Sequence, residues 1–113
     1  MPSVLLPRPI ARNKARRVLL ACPAHRAWVR RHHCCVPGCQ AVPIECAHVR
    51  SDTDGGMGLK PSDKWVVSLC AAHHRQQHQI GERGFEAKHR IDLKALAREF
   101  ARRSPHWHKL ARM

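Results

Sequence analysis

The stretch HHCCVPGCQAVPIECAHVR, residues 32–50, decides the fold that we expect for this chain. It contains four of the six cysteines and three of the ten histidines. Thiolates and imidazoles are ligands that zinc prefers, and a short chain with a modest core gains stability from an added crosslink. In a reducing compartment such cysteines are more often metal ligands or buried thiols than disulfides. The stretch therefore predicts a small domain crosslinked by a metal ion.

Composition and charge limit the possible partners. The 113 residues include 21 Lys and Arg against 8 Asp and Glu, a formal net charge of +13. Such a charge indicates an anionic partner, and we expect nucleic acid. A cationic membrane-active peptide is the alternative, but the basic residues are spread along the chain without one long amphipathic helix.

The sequence has no predicted membrane span. No apolar stretch is long enough to cross a bilayer. The N-terminal apolar run is short, broken by prolines and placed ahead of its charges, unlike a secretory signal. We therefore predict a cytoplasmic protein that does not associate with membranes; the sequence leaves its oligomeric state open.

We expect three segments along the chain. Residues 1–22, with three prolines before position 10, are predicted to be a flexible basic arm. Residues 23–105 are predicted to form one domain, followed by a tail over 106–113. Residues 50–63 carry glycine, proline and aspartate without periodicity, which predicts a loop inside the domain.

The first half of the domain is predicted to be a helix and two strands. PAHRAWVRRH is expected to be a helix after Pro23, with Ala24 and Trp28 facing inward, Ala27 as a further candidate, and the arginines outward. Residues 41–49 and 64–69 have the β-branched and apolar composition of strands.

Helices are predicted for the second half. AAHHRQQHQI, after Cys70, fits a helix that stops near Gly81. Asp92 can cap a helix over 93–103 that Pro105 ends. The apolar face of that helix is Leu93, Leu96, Ala97 and Phe100, at helical spacing. It predicts a packing helix without chemistry of its own.

The cysteine spacing predicts a structural metal site. Structural zinc sites commonly take one ligand pair from a turn and another from a helix start. Cys39, in the turn, and Cys70 with His73, at the end of the second strand, fit this pattern. The other turn ligand is Cys34 or Cys35, and spacing does not separate them. The alternative is that these cysteines are small buried hydrophobic residues.

Three further histidines predict a hydrolytic site. His74 and His78 are four residues apart, so they lie on one helix face and can chelate one ion. His48, near the end of the first strand, should lie beside the start of that helix. A neutral imidazole near a metal-bound phosphate can take a proton from water. The alternative is that His48 is an interior histidine bonded to backbone.

Several motifs together resemble a known family. CAHVR, the loop SDTDGGMGLKPSDKWVVSLC and the continuation LCAAHHRQQHQIGE are similar to the HNH endonucleases of the ββα-metal, or His-Me finger, superfamily. They are most similar to small phage- and prophage-associated recombination nucleases with the pattern AHxR, GxGxKPxD, PLCxxHHxxQHxxGE. The resemblance covers roughly residues 26–105.

The resemblance implies an α+β fold. Its core would be a small, zinc-stabilised, treble-clef-like ββα-metal unit, made of a hairpin and a helix, with further helices on either side. The resemblance also implies that His48 is the general base and that His74 and His78 hold a catalytic divalent ion, whether magnesium, manganese, nickel or zinc. Structural zinc would take Cys39, Cys70 and His73 with Cys34 or Cys35. Asp63 stands near the family's middle Asn. Arg50 and Lys60 are candidate contacts to DNA phosphates, Arg50 also as part of the catalytic site.

One departure from the family pattern leaves two functions open. Many members have an Asp or His that binds the metal directly before the base, where this chain has Ala47. Asp52 or Asp54 could replace that ligand from the loop. The first function is a metal-dependent endonuclease that hydrolyses DNA phosphodiester bonds; the alternative is a catalytically inactive, zinc-stabilised DNA-binding module.

Overall fold

The computed structural model describes residues 6, 20–51, 53 and 61–113 of the chain. The fold is α+β, with one two-stranded antiparallel sheet and helices before and after it. The elements in chain order are α1 (Pro23–Val29), β1 (Ile44–His48), β2 (Val66–Cys70), α2 (Ala71–His89), α3 (Leu93–Arg103) and α4 (Trp107–Ala111). The predicted order of helix, hairpin and helices is confirmed.

The hairpin places its two faces in different surroundings. Ala47 pairs with Val67, and His48 pairs with Val66. Because successive side chains of a strand point to opposite faces, Ala47 and His48 lie on different sides of the sheet. Ala47 is fully buried in the apolar core with Val67, whereas His48 keeps part of its side chain exposed.

Helix α2 starts directly at the end of the sheet. Its N-cap is Cys70, the last residue of β2, whose Sγ accepts a hydrogen bond from the backbone N–H of His73. The predicted break at Gly81 is confirmed, since Gly81 has a non-helical φ of 80° and kinks the helix. The chain then continues helically to His89, and Phe85 of this second part is fully buried.

Helix α3 covers the core, as its apolar face predicts. The Asp92 carboxylate accepts from the N–H of Ala95 at 3.0 Å and caps the helix. Leu93 and Ala97 are fully buried. Leu96 and Phe100 pack against the same core.

Helix α1 buries a different face from the predicted one. His25 and Val29 are buried, Ala24 and Ala27 are exposed, and Trp28 is half-buried. The inward orientation predicted for the two alanines is therefore wrong. The reason is a polar contact across the domain, in which His25 Nδ1 lies 2.9 Å from the Ser104 hydroxyl after α3.

Ordered residues pack against the domain beyond both of its predicted boundaries. The Leu20 carbonyl accepts from the N–H of Asp63, and Cys22 is buried, so the described end of the predicted arm packs against the domain. Beyond the domain, the predicted tail contains α4, whose Leu110 is buried. Arm residues 1–5 and 7–19 and loop residues 52 and 54–60 lie outside the described residues. Within the described part, no helix combines the length and apolarity that crossing a membrane requires.

We expect the buried His25 to make stability fall as the pH drops. Burial lowers the pKa of His25 from 6.5 to about 4 in spite of the nearby Asp63 carboxylate. Protonation therefore favours the unfolded chain, and stability present above the unfolded pKa is lost as pH falls from 6.5 toward 4. Urea unfolding of the parent should lose about 1 kcal/mol more between neutral pH and roughly pH 5.5 than His25→Gln loses. Equal pH dependence of the two proteins would contradict this assignment.

Candidate metal centre and adjoining cleft

A tight turn brings the first two metal-ligand candidates together. The N–H of Cys39 donates to the Val36 carbonyl at 3.0 Å, with Pro37 and Gly38 at the two central positions. Gly38 has a φ of 80°, the left-handed conformation that a type II turn requires there. The sequence VPGC therefore places the thiol of Cys39 back toward that of Cys34.

Four side chains from this turn and from the start of α2 form one group. The ligand atoms of Cys34, Cys39, Cys70 and His73 all lie within 4.8 Å of one another. Cys39 Sγ is 3.9 Å from Cys70 Sγ. His73 Nδ1 lies 3.4 Å from Cys34 Sγ and 3.2 Å from Cys70 Sγ. The group is positioned to hold a metal ion.

The spacing within the group agrees with tetrahedral coordination. Zinc–sulfur bonds of about 2.3 Å and zinc–nitrogen bonds of about 2.0 Å place tetrahedral ligands about 3.8 Å apart for two sulfurs and about 3.5 Å for a sulfur and a nitrogen. The measured separations lie near these values. Three thiols and one imidazole are also a donor set typical of structural zinc.

The choice between Cys34 and Cys35 is settled by the direction of their side chains. Cys34 belongs to the group and Cys35 does not, so the candidate Cys35 is corrected to a residue outside the site. The N–H of Cys35 donates to the Ser68 carbonyl of β2 at 2.9 Å. Its side chain packs against the apolar core, which raises the pKa of its thiol to about 12.

The electrostatics of the group favour a cation. Burial raises the pKa of Cys34 to about 11. A hydrogen bond from the backbone of Ala41, with further ones from Cys34 and Cys70, lowers the pKa of Cys39. Metal ligation requires thiolates, so three of them this close together need a positive ion among them.

A cleft of about 570 Å³ lies beside this centre, on the His48 side of the hairpin. The cleft brings together three predicted site histidines, His48, His74 and His78. It is also lined by three arginines and by two residues of β1: Arg26, Arg30, Arg50, Glu45 and Cys46. The predicted convergence of the strand end with the helix is therefore observed.

His48 is held by Asp63, and among the described residues its ring has no backbone partner. Its Nε2 lies 2.9 Å from Asp63 Oδ1. The other carboxylate oxygen accepts from the N–H of Cys22 at 2.7 Å and forms an ion pair with Arg26 Nε at 3.0 Å. Burial opposes ionisation of Asp63, but the hydrogen bonds from His48 and Cys22 and the charge of Arg26 lower its pKa overall. An ionised carboxylate only accepts, so the proton of a neutral His48 sits on Nε2 and Nδ1 is left as a base.

The Nε2 atoms of the two helix histidines lie close enough together to bind one ion. His74 Nε2 and His78 Nε2 are 3.3 Å apart. Two nitrogens bound to one tetrahedral ion lie about 3.3 Å apart. His74 Nδ1 lies 2.8 Å from Glu45 Oε1, so the carboxylate keeps the proton on Nδ1 and leaves Nε2 free for a metal.

The described residues supply no third protein ligand for this ion. Within residues 20–51, 53 and 61–113, the Cys34 group is the one set of three or more metal-binding side chains that converges. Ala47, where many of the HNH endonucleases that the motifs resemble have a metal ligand, is fully buried in the core. Asp52 and Asp54, the alternative ligands, lie outside the described residues, as does Lys60.

Glu82 fixes the chain directly after His48. Its two carboxylate oxygens accept from the N–H groups of Arg50 and Ser51, both at 2.7 Å. Glu82 directly follows the kink at Gly81, and the two residues form the GE at the end of the motif LCAAHHRQQHQIGE. The sequence gives both residues as part of the family-like motif, but only the structure gives the carboxylate its two amide partners.

Four residues of the cleft were not found by sequence reasoning: Arg26, Arg30, Glu45 and Cys46. Arg26 lies on α1 and Arg30 is its C-cap, four residues later. In the sequence, two arginines at this spacing are typical of the solvent-exposed face of a helix. Glu45 precedes the base by three residues in a strand, a spacing that carries no familiar signal. Their role depends on α1 and α2 packing against the same hairpin.

Comparison with known proteins gave one finding. A family model described as "Protein of unknown function (DUF968)" matches residues 8–104. No curated protein and no solved structure matches the chain. The matched range includes the metal centre and the whole cleft, but its description assigns no activity.

The adjacent cysteines provide a matched test of the metal centre. We expect Cys34→Ser to reduce bound metal well below one ion per chain and to lower thermal stability or soluble yield, because metal binding and folding are coupled. Cys35→Ser should keep the ion, since its side chain lies in the core. Metal content of the purified proteins, measured by mass spectrometry of the released ion, checks this. Equal metal loss in the two variants would contradict the ligand assignment.

Proposed function

We propose that this chain, which belongs to the DUF968 family of proteins of unknown function, is a metal-dependent endonuclease that hydrolyses DNA phosphodiester bonds. One observation carries the proposal. A carboxylate-held histidine, a pair of converging histidine nitrogens and three arginines line the same cleft. Base, ion site and phosphate-binding cations are the groups that this reaction requires.

His48 is the general base of the proposed reaction. With its Nε2 proton directed at Asp63, its Nδ1 accepts a proton as the water oxygen bonds to phosphorus and the phosphorus bond to the leaving oxygen breaks. Asp63 keeps the imidazole in one tautomer and stabilises its positive charge after proton transfer. Arg26 in turn keeps Asp63 ionised.

His74 and His78 would hold the catalytic divalent ion, with Glu45 orienting His74. Such an ion, magnesium, manganese, nickel or zinc, supplies Lewis-acid stabilisation of charge on the phosphate. The side chains of Arg26, Arg30 and Arg50 add fixed positive charge in the same cleft. Arginine suits this use because its planar donors match phosphate oxygens.

The Cys34, Cys39, Cys70 and His73 group belongs to the same proposal as a structural zinc site. Together with the order of turn, hairpin and helix, it supports a treble-clef-like ββα-metal core. The ion would tie the turn to the start of α2, the helix that carries His74 and His78. The structural site therefore keeps the proposed catalytic site in shape without taking part in the reaction.

A second function is favoured by a specific observation. The described residues give the proposed catalytic ion two histidine ligands. The position where many HNH endonucleases have a further metal ligand is a buried alanine, Ala47. Weak ion binding would leave a catalytically inactive, zinc-stabilised DNA-binding module. The net charge of +13 supports DNA binding under both functions.

Cleavage of supercoiled plasmid separates the two functions. We expect nicking with at least one of magnesium, manganese or nickel, and a rate about a hundredfold or more lower for His48→Ala, because the general base is lost. His32→Ala is the matched control, since His32 lies outside the cleft. Gel quantification of nicked product over time gives both rates.

The outcomes of this assay are distinct. Absence of nicking by the parent with every ion would leave the inactive DNA-binding module. Equal rates for His48→Ala and the parent would contradict the role of His48 as base.

Glu45 should set how tightly the catalytic ion is held. Glu45→Ala is expected to raise the metal concentration for half-maximal nicking about tenfold to a hundredfold, since His74 loses its Nδ1 acceptor. Glu45→Gln, whose amide oxygen can still accept that proton, should recover much of the loss. Titration of the metal at fixed plasmid measures the shift. An unchanged requirement in Glu45→Ala would exclude this positioning role.

A further inference from the structure

A second basic face lies outside the cleft and contains exposed aromatic surface. We define it by Lys64, Trp65, Lys94, Arg98 and Trp107. Lys64 connects its two parts, because it approaches the Trp65 ring and also lines a cavity of about 270 Å³ with Trp107. None of these five residues lines the His48 cleft.

Three cations surround the Trp65 ring. Lys64 Nζ, Lys94 Nζ and Arg98 Cζ lie 5.5, 5.6 and 5.7 Å from its centroid. Lys94 and Arg98 are four residues apart on α3, a spacing at which like charges repel. Lys64 Nζ donates a hydrogen bond to the Met113 carbonyl oxygen at 2.8 Å. In the described part of the chain, no ion pair to a carboxylate includes Lys94 or Arg98. The positive charge of these two residues therefore stands without compensation among the described residues.

Neighbouring arginines on the same helix behave differently. Arg102 and Arg103 both pair with Glu99, each at 2.6 Å. Their charge is partly neutralised within the protein. The contrast indicates that the charge of Lys94 and Arg98 is available to an external anion.

The indole of Trp107 is exposed in the cavity that Lys64 and Arg102 also line. Half of its surface is accessible, 50% by area, and the ring lines the cavity that Lys64 shares. His108 stacks on it with a centroid distance of 3.5 Å, which supports the ring in place. A large exposed aromatic ring in a cavity with basic side chains is a platform for stacking a nucleobase.

We propose that this face binds a single-stranded segment of DNA, with phosphates at Lys94 and Arg98 and a base stacked at Trp107. The proposal rests on the proposed function in taking DNA as the partner, but it requires no cleavage. Paired bases are stacked inside a duplex, so an aromatic platform selects unpaired ones. The substrate would then be DNA that carries a single-stranded region next to the cleaved bond.

Binding without cleavage tests the proposal. Fluorescence anisotropy of a labelled oligothymidylate is measured with the full chain carrying His48→Ala, so that the proposed reaction is blocked. Lys94→Ala with Arg98→Ala should raise Kd about tenfold and reduce the slope of log K against log salt by about 1.4, the effect of two lost phosphate contacts. Arg31→Ala with Arg103→Ala removes the same formal charge from residues that neither contact Trp65 nor line the Trp107 cavity. This control should change Kd less than threefold, which is less than about half of the first effect on a logarithmic scale.

The stacking contact has its own variants. Trp107→Ala should weaken binding of the single strand about fivefold or more, whereas Trp107→Phe should retain most of the affinity. DNA-induced quenching of tryptophan fluorescence should be reduced in Trp107→Phe, since the remaining indoles, Trp28 and Trp65, are half-buried. Thermal unfolding shows that each variant is folded.

Three results would overturn the proposal. They are equal effects of the two charge-removing pairs, parental affinity of Trp107→Ala, and tighter binding of a duplex or of an RNA oligonucleotide than of the DNA strand. The failure of the proposed nuclease is seen separately, as absence of nicking by a protein that still binds the single strand.

Discussion

The side chain and backbone of Cys70 join the three parts of the fold. Cys70 ends β2, caps α2 through its sulfur, and places that sulfur beside Cys39 and His73. The turn, the sheet and the main helix therefore meet at one residue. Because an ion at this point would crosslink all three, a small core can hold a long helix in a defined orientation.

The geometry of the cleft follows from that orientation. Helix α2 presents His74 and His78 toward β1, where Glu45 orients one of them. Two carboxylates from later in the chain fix the base: Asp63 binds the His48 ring, and Glu82 binds the backbone just after it. The proposed reaction therefore uses groups that are held by the fold before any substrate arrives.

The few acidic residues explain how the rest of the surface stays positive. Of the 8 Asp and Glu in the chain, those at 52 and 54 lie outside the described residues. The others each bind a side chain or a backbone amide of this protein: Glu45, Asp63, Glu82, Glu86, Asp92 and Glu99. Intramolecular contacts thus occupy the negative charge, and Arg30 and Arg50 of the cleft, with Lys94 and Arg98 beside Trp65, remain available to phosphates.

The sequence by itself determined the elements and most candidate ligands, because these depend on local rules. Strand composition, the Asp92 cap, the break at Gly81 and the i, i+4 spacing of His74 and His78 are all read within one or two turns of chain. Tertiary structure alone decided between Cys34 and Cys35, buried His25 instead of Ala24, and gave Asp63 and Glu45 their histidine partners. Those outcomes depend on packing, which brings together side chains that are 15 to 79 residues apart in the sequence. No local sequence pattern encodes contacts at such separations.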